Sequence, residues 1–247
     1  MKTIVLGDTH GRSMWKLITH TEKPDRVIFI GDYFDSFDIS GVEQLHNFKE
    51  IIEYKEKGEC EVIMLIGNHD HHYFPEVGNT DTSGYQTTLA PSINQAIDEN
   101  RHHLQMAYQM GEYLFTHAGV SSEFMDSVFG ANGWTTESIA ELLNEQFKYK
   151  PRTFSFGMAV DLNKVFYLDQ SGDNTQQSPI WIRPRSLMAA NRNTLRTKVI
   201  QVVGHTQVRT MTGQEKMSGG RYFLTDCLET SGEYLIIEDG KTSIGKI

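Results

Sequence analysis

Eight residues of this 247-residue chain have side chains suited to holding divalent cations or moving protons beside them: Asp8, His10, Asp32, Asp35, Asn68, His69, His117 and His205. Carboxylate, imidazole and amide oxygen together favour borderline or hard ions such as Mn²⁺, Fe²⁺ or Zn²⁺. No cysteine joins the set, which argues against a structural zinc finger. Taken singly, an Asp-x-His is an ordinary turn or helix cap, and Gly67-Asn68-His69-Asp70 is an ordinary turn. What sets these clusters apart is their recurrence, in order, each after the same kind of apolar run.

Those runs are Thr3–Leu6, Val27–Ile30, Val62–Ile66, Tyr113–Phe115 and Val199–Val203. Apolar runs of this length, bounded by glycine, read as strands buried on both faces. Helical patterns fill the gaps after Arg12, near 41–57, and near 135–148, where Ile139, Leu142, Leu143 and Phe147 recur. Strands alternating with helices predict a layered α/β architecture, in which ligands gather outside the strand ends. The polar clusters are therefore expected to meet in one place, where their carboxylates would repel one another unless cations neutralised them. Two later runs, Tyr222–Thr225 and Tyr234–Ile237, predict a closing strand pair. The stretch from about 74 to 100, with Gly78, Gly84 and Pro91, has no clear period and reads as a long surface excursion over the site. His71 and His72 read as a solvated turn, His102-His103 as surface, and Tyr33 and Phe34 as packing beneath the second cluster.

The bulk composition narrows the class. Hydrophobic content of 38% and charged content of 22% are ordinary for a globular chain, and the length suits one domain spanning 1–247. A formal net charge of -9 argues against general affinity for nucleic acid or anionic membrane. No apolar run approaches the ~20 residues that span a bilayer, and the N-terminus has no signal-peptide core, so a cytoplasmic location is expected. Cys60 and Cys227 form no metal or disulfide framework, and neither has the neighbouring histidine and phosphate-cradling loop of a cysteine phosphatase.

The ordered set Gly7-Asp8-Thr9-His10-Gly11, Gly31-Asp32-Tyr33-Phe34-Asp35, Gly67-Asn68-His69-Asp70, Thr116-His117-Ala118-Gly119 and Gly204-His205-Thr206 resembles the calcineurin-like metallophosphoesterase superfamily. It looks nearest the branch of Ser/Thr protein phosphatases and symmetrical diadenosine tetraphosphatases. The resemblance implies a layered β-sandwich flanked by helices and two divalent ions, with Mn²⁺ foremost and Fe or Zn as alternatives. It further implies that Asp8 and His10 bind the first ion, Asp32 bridges both, and Asn68, His117 and His205 complete the second site. His69 would be the general acid, with Asp35 orienting it. A histidine near its ordinary pKa can donate a proton at neutral pH, and a carboxylate partner fixes its tautomer. Two ions about 3.5–4 Å apart would activate water and stabilise the phosphoryl oxygens.

Two positions depart from that pattern. Gln207 stands where many nuclease members carry a further histidine, as it does in the protein-phosphatase branch. Ser36-Phe37 stands where protein phosphatases carry Arg-Gly, so the phosphate must be gripped from elsewhere. The segment Pro179–Arg185 offers Arg183 and Arg185, whose planar forks match phosphate oxygens, beside Trp181; Arg12 is a weaker candidate. The expected activity is hydrolysis of a phosphomonoester, in a phosphoprotein or a nucleotide, by direct attack of metal-bound hydroxide. The alternatives are a phosphodiesterase or nuclease of the same superfamily and a non-catalytic scaffold. Retention of the whole residue set weighs against the scaffold.

Overall fold

The computed structural model describes residues 1–78, 82–157, 174–190, 195, 198–211 and 221–247. Its first half runs β1 (Lys2–Leu6), α1 (Met14–Glu22), β2 (Arg26–Phe29), α2 (Gly41–Lys57), β3 (Glu61–Leu65), α3 (Asn68–His71), α4 (Ala90–Glu99), β4 (Leu104–Gln105) and β5 (Ala107–Met110). Then follow β6 (Tyr113–Thr116), α5 (Ser122–Phe129), α6 (Ile139–Tyr149), α7 (Pro184–Ala190), β7 (Ile200–Val203), β8 (Tyr222–Leu224), β9 (Glu233–Glu238) and β10 (Lys241–Lys246).

The strands form two sheets, in the orders β10-β9-β1-β2-β3-β4 and β5-β6-β7-β8. Strands β1 to β4 are parallel, as are β6, β7 and β8, so the loops after β1, β2, β3, β6 and β7 emerge at carboxyl ends. Alternation along the first sheet sorts its two faces. Val5, Ile28, Ile63 and Leu65 pack with Phe115, Val202 and Phe223 between the sheets. Ile4, Leu6, Val27, Phe29, Val62 and Met64 instead join a second core with Trp15, Ile18, Phe48 and Ile51 of the helices. Burial on both faces is why these strands carry no polar alternation. The result is a β-sandwich flanked by helices, as the resemblance implies.

Helix α2 matches its expected span and is closed by a reciprocal Ser40–Glu43 capping box at one end and a left-handed Gly58 at the other. Other expectations are corrected. Tyr222–Leu224 and Glu233–Glu238 do not pair with each other: β8 runs beside β7 in one sheet, while β9 lies antiparallel to β1 in the other. The partner of β9 is β10, whose alternating exposed residues suit a sheet edge and leave no apolar run to read. The 74–100 stretch contains α4, with Ala90, Ile93, Ala96 and Ile97 buried on one face. Two of those four are alanines, which blur the apolar period.

His71 and His72 are buried rather than solvated. Nε2 of His71 donates to the Pro151 carbonyl at 2.9 Å, and its ring lies against Phe147. Burial lowers the His71 imidazole to about 4. An unfolded chain protonates this histidine near 6.5, so the stability it contributes is full above that pH and is lost as pH falls toward 4. His71→Gln keeps a donor for Pro151 and should flatten the fall in urea-unfolding free energy over that window. The expected difference from wild type is on the order of 2 kcal/mol at the acid end. Parallel pH curves for the two proteins would discard His71 as the source.

Candidate metal centre

All eight residues found in the sequence lie at the carboxyl ends of β1, β2, β3, β6 and β7, and the structure brings them together. Each imidazole of the ligand set is tethered through one nitrogen to a backbone carbonyl: His10 Nδ1 to Phe34 O at 2.5 Å, His117 Nδ1 to Ile30 O at 3.0 Å, and His205 Nε2 to Trp181 O at 3.1 Å. The tether assigns a proton to that nitrogen and turns the other toward the interior, the arrangement that orients metal-binding histidines. His117 Nε2 and His205 Nδ1 both face Asn68 Oδ1, at 2.9 and 2.8 Å. His117 Nε2 also lies 3.3 Å from Asp32 Oδ2, and His10 Nε2 lies 3.8 Å from the same oxygen.

Two donor groups result, Asp8–His10–Asp32 and Asp32–His117–His205, each with ligand atoms within 4.8 Å of one another. They share Asp32. Oxygen and nitrogen donors without thiolate, gathered this tightly, fit divalent ions of the Mn²⁺, Fe²⁺ or Zn²⁺ type. A third group, Asp35–His69–His72, lies alongside. His69 Nδ1 is 3.0 Å from Asp35 Oδ2, and Tyr73 Oη donates to Asp35 Oδ1 at 2.6 Å.

The electrostatics describe a cation-demanding pocket. Burial, and after it the neighbouring Asp226, push the Asp8 carboxyl well above the usual range. Burial would raise Asp32 too, but His117 and His69 hold it well below that range. Burial opposes a charge on His117, yet Asp32 and Asp8 lift it to about 9. Burial, followed by His117, keeps His205 well below its ordinary value. In the free protein the proton on His117 neutralises Asp32. Metal ligands must be deprotonated, so binding of divalent cations would displace that proton.

The backbone is strained where these side chains sit. His10, Asp32, Asp35 and His205 all take positive φ, at 43°, 53°, 66° and 63°, a region that non-glycine residues adopt when surrounding contacts enforce it. One such contact is Asp70, absent from the residues singled out for chemistry. Its buried carboxylate accepts from the N–H groups of Asp32, Tyr33 and Gly67, each at 2.8 Å. Its sequence signal was its place at the end of Gly-Asn-His-Asp. Asp226 was also missed, because one aspartate after β8 carries no pattern of its own.

Above the donors lies a cleft of about 520 Å³ that includes His10, Asp35, His69, Arg183, His205 and Asp226 in its walls. Arg183 is held by Nη1 donation to His205 O at 3.0 Å and to Thr206 Oγ1 at 3.2 Å. Arg185 is exposed in the first turn of α7 and lines neither this cleft nor the deeper pocket beside it. Arg12 reaches the cleft, but its guanidinium is already paired with Asp38 and Glu229. Ser36 and Phe37 form part of the rim, where Phe37 is 85% exposed. Thr82 and Ser83, from the stretch over the site, line the deeper pocket with Trp181.

A two-sheet sandwich with Asp, His and Asn donors converging on its strand ends defines a metallophosphoesterase-type protein. The chain belongs to the calcineurin-like phosphoesterase family, whose sequence model matches residues 1–232. Comparison with curated proteins gives no match. Among solved structures, a cold-active protein-tyrosine phosphatase of a psychrophilic Shewanella species aligns with a TM-score of 0.65 and 18% identity, over 99% of this chain and 77% of that one. A protein serine/threonine phosphatase from Saccharomyces cerevisiae aligns with a TM-score of 0.54 and 11% identity, over 99% of this chain and 79% of that one. At these identities the likeness is one of fold.

Gly67 makes the donor cluster possible: a Cβ there would lie 2.1 Å from Asp32 Oδ1 and 2.5 Å from Asp32 N. Gly67→Ala should therefore weaken Mn²⁺ binding at least tenfold by calorimetry while the far-ultraviolet circular dichroism stays native, a loss on the order of that from displacing a ligand-orienting group. Wild-type affinity in the variant would show that Asp32 does not need this close approach.

Proposed function

We propose that the protein is a dinuclear-metal phosphomonoesterase acting in the cytoplasm on a phosphoprotein or a nucleotide. One observation carries the reading: two cation-sized donor groups share the single carboxylate of Asp32, and the His69–Asp35 pair stands beside them on the same cleft. Two divalent ions, Mn²⁺ by preference, would be held by Asp8, His10 and Asp32 and by Asp32, Asn68, His117 and His205. When bound, they supply Lewis acidity that activates water and stabilises phosphoryl oxygens.

The chain's own residues do the rest. Asp35 accepts from His69 Nδ1, which leaves Nε2 to hold the proton that the leaving oxygen takes. Burial works against a charge on His69, but in the metal-free protein Asp32 and Asp35 raise its pKa to about 9. Tyr73 keeps Asp35 in place through its hydroxyl, and His72 Nε2 lies 2.8 Å from Asp35 Oδ2. Arg183, fixed by the His205 carbonyl, grips the phosphate in place of an arginine at position 36. Arg185 lines neither pocket, which favours Arg183 for the phosphate.

The two unpaired thiols, Cys60 and Cys227, suit a reducing compartment, and no helix among the described residues is long and apolar enough to cross a membrane.

Chelator-stripped protein should be inert toward p-nitrophenyl phosphate and recover turnover with Mn²⁺. No recovery, with two ions shown bound, would reject monoester hydrolysis in favour of a phosphodiester. His69→Ala should retain its metal content and lose about 10²–10⁴ in kcat, most for substrates with poor leaving groups. Equal losses across leaving groups would remove His69 as the acid.

A further inference from the structure

Asp226 follows β8, directly against the end of β1. A Cβ on Gly7 would lie 2.1 Å from Thr225 O and 3.0 Å from Asp226 N, so the absence of a side chain at Gly7 is what lets the two strand ends meet. This approach carries Asp226 beside Asp8. Its residue lines both the cleft and the deeper pocket, each time with Asp8, His10 and His205.

The carboxylate of Asp226 has no hydrogen-bond or ion-pair partner among the described residues, although its backbone carbonyl accepts from Val208 N at 2.9 Å. Arg12, which shares the cleft wall, is committed to Asp38 and Glu229. Asp8, Asp32 and Asp226 thus bring three carboxylates to one pocket.

We propose that Asp226 belongs to the first metal site, where it acts from outside the Asp8–His10–Asp32 donor group by holding water on the divalent ion and adding negative charge beside it. It is not a direct ligand, because its oxygens do not join the close-packed donor group. A site completed by water under a third carboxylate favours an oxygen-loving ion with several open positions, such as Mn²⁺, over the closed tetrahedral surroundings that suit structural Zn²⁺. Asp226 is then a positioning residue for the metal and its water, not a group that touches substrate. This inference rests on the dinuclear reading above.

The test is calorimetric titration of Mn²⁺ into chelator-stripped protein, which needs no turnover. Wild type should bind two ions. Asp226→Asn, nearly isosteric, should weaken one of them 10–100-fold, the loss usual for an outer partner of a metal site, and leave the other unchanged. Asp226→Glu, which restores the charge, should recover most of that loss and guards against a variant that merely folds poorly. In a His10→Ala background, whose first site is already impaired, the Asp226→Asn effect should largely vanish, since residues acting on one site are not additive. Wild-type affinities in Asp226→Asn, equal weakening of both ions, or a full effect persisting beside His10→Ala would each overturn the assignment. Wild-type protein that binds no Mn²⁺ would overturn the dinuclear reading itself, and this inference with it.

Discussion

The Asp32 carboxylate is the point through which the two halves of the sandwich meet. Its Oδ1 accepts from the N–H of His69, in the short helix α3 that follows β3, at 2.9 Å. Its Oδ2 faces His117 from the other sheet and His10 from the loop after β1. Its own backbone, at φ 53°, is clamped by Asp70. Removing a fully buried charge from water is costly, and such a group persists only where partners surround it. Asp32 has those partners because loops from different strands end within a few ångströms of it, so the arrangement of both sheets is tied to one side chain.

The close approaches around it follow from the same constraint. Gly67 and Gly204 lie so near Asp32 and Asp8 that a methyl group on either would overlap a carboxylate oxygen. The N–H of His205 donates to both oxygens of Asp8, at 3.1 and 3.0 Å, which ties the last cluster to the first across 197 residues. Strain at four site residues is sustained by this web of backbone contacts rather than by local preference. A rigid, charge-crowded pocket of this kind is prepared for cations before they arrive, because the ordering cost is met by the core and not by the ions.

The outer cleft has a different character from its floor. The floor is built from backbone-tethered donors, whereas the rim carries the exposed Phe37, the Arg12–Asp38–Glu229 ion pairs and Arg183. The family identity speaks to the floor and says little of the rim, since the aligned Shewanella and Saccharomyces phosphatase structures share only 18% and 11% of their residues with this chain.

Much of this was legible from residue order alone. Five apolar runs ending in Gly, Asp, Asn or His announced buried strands whose ends converge, because a strand covered on both faces must be apolar throughout and its polar residues are pushed to the loop that follows. The candidate donors were equally plain, since each of those runs is followed by carboxylate, imidazole or amide oxygen. Tertiary structure decided what has no local signature. It placed β8 and β9 in different sheets, made an α-helix of 90–99 whose alanines mask its period, and buried His71 and His72. It also separated Arg183 from Arg185, two residues apart in sequence, by setting one on the cleft wall and the other away from it. The contacts of Asp70 and Asp226 became visible only there, because a carboxylate that clamps distant backbone or faces a neighbouring strand end acts across contacts that sequence proximity does not encode.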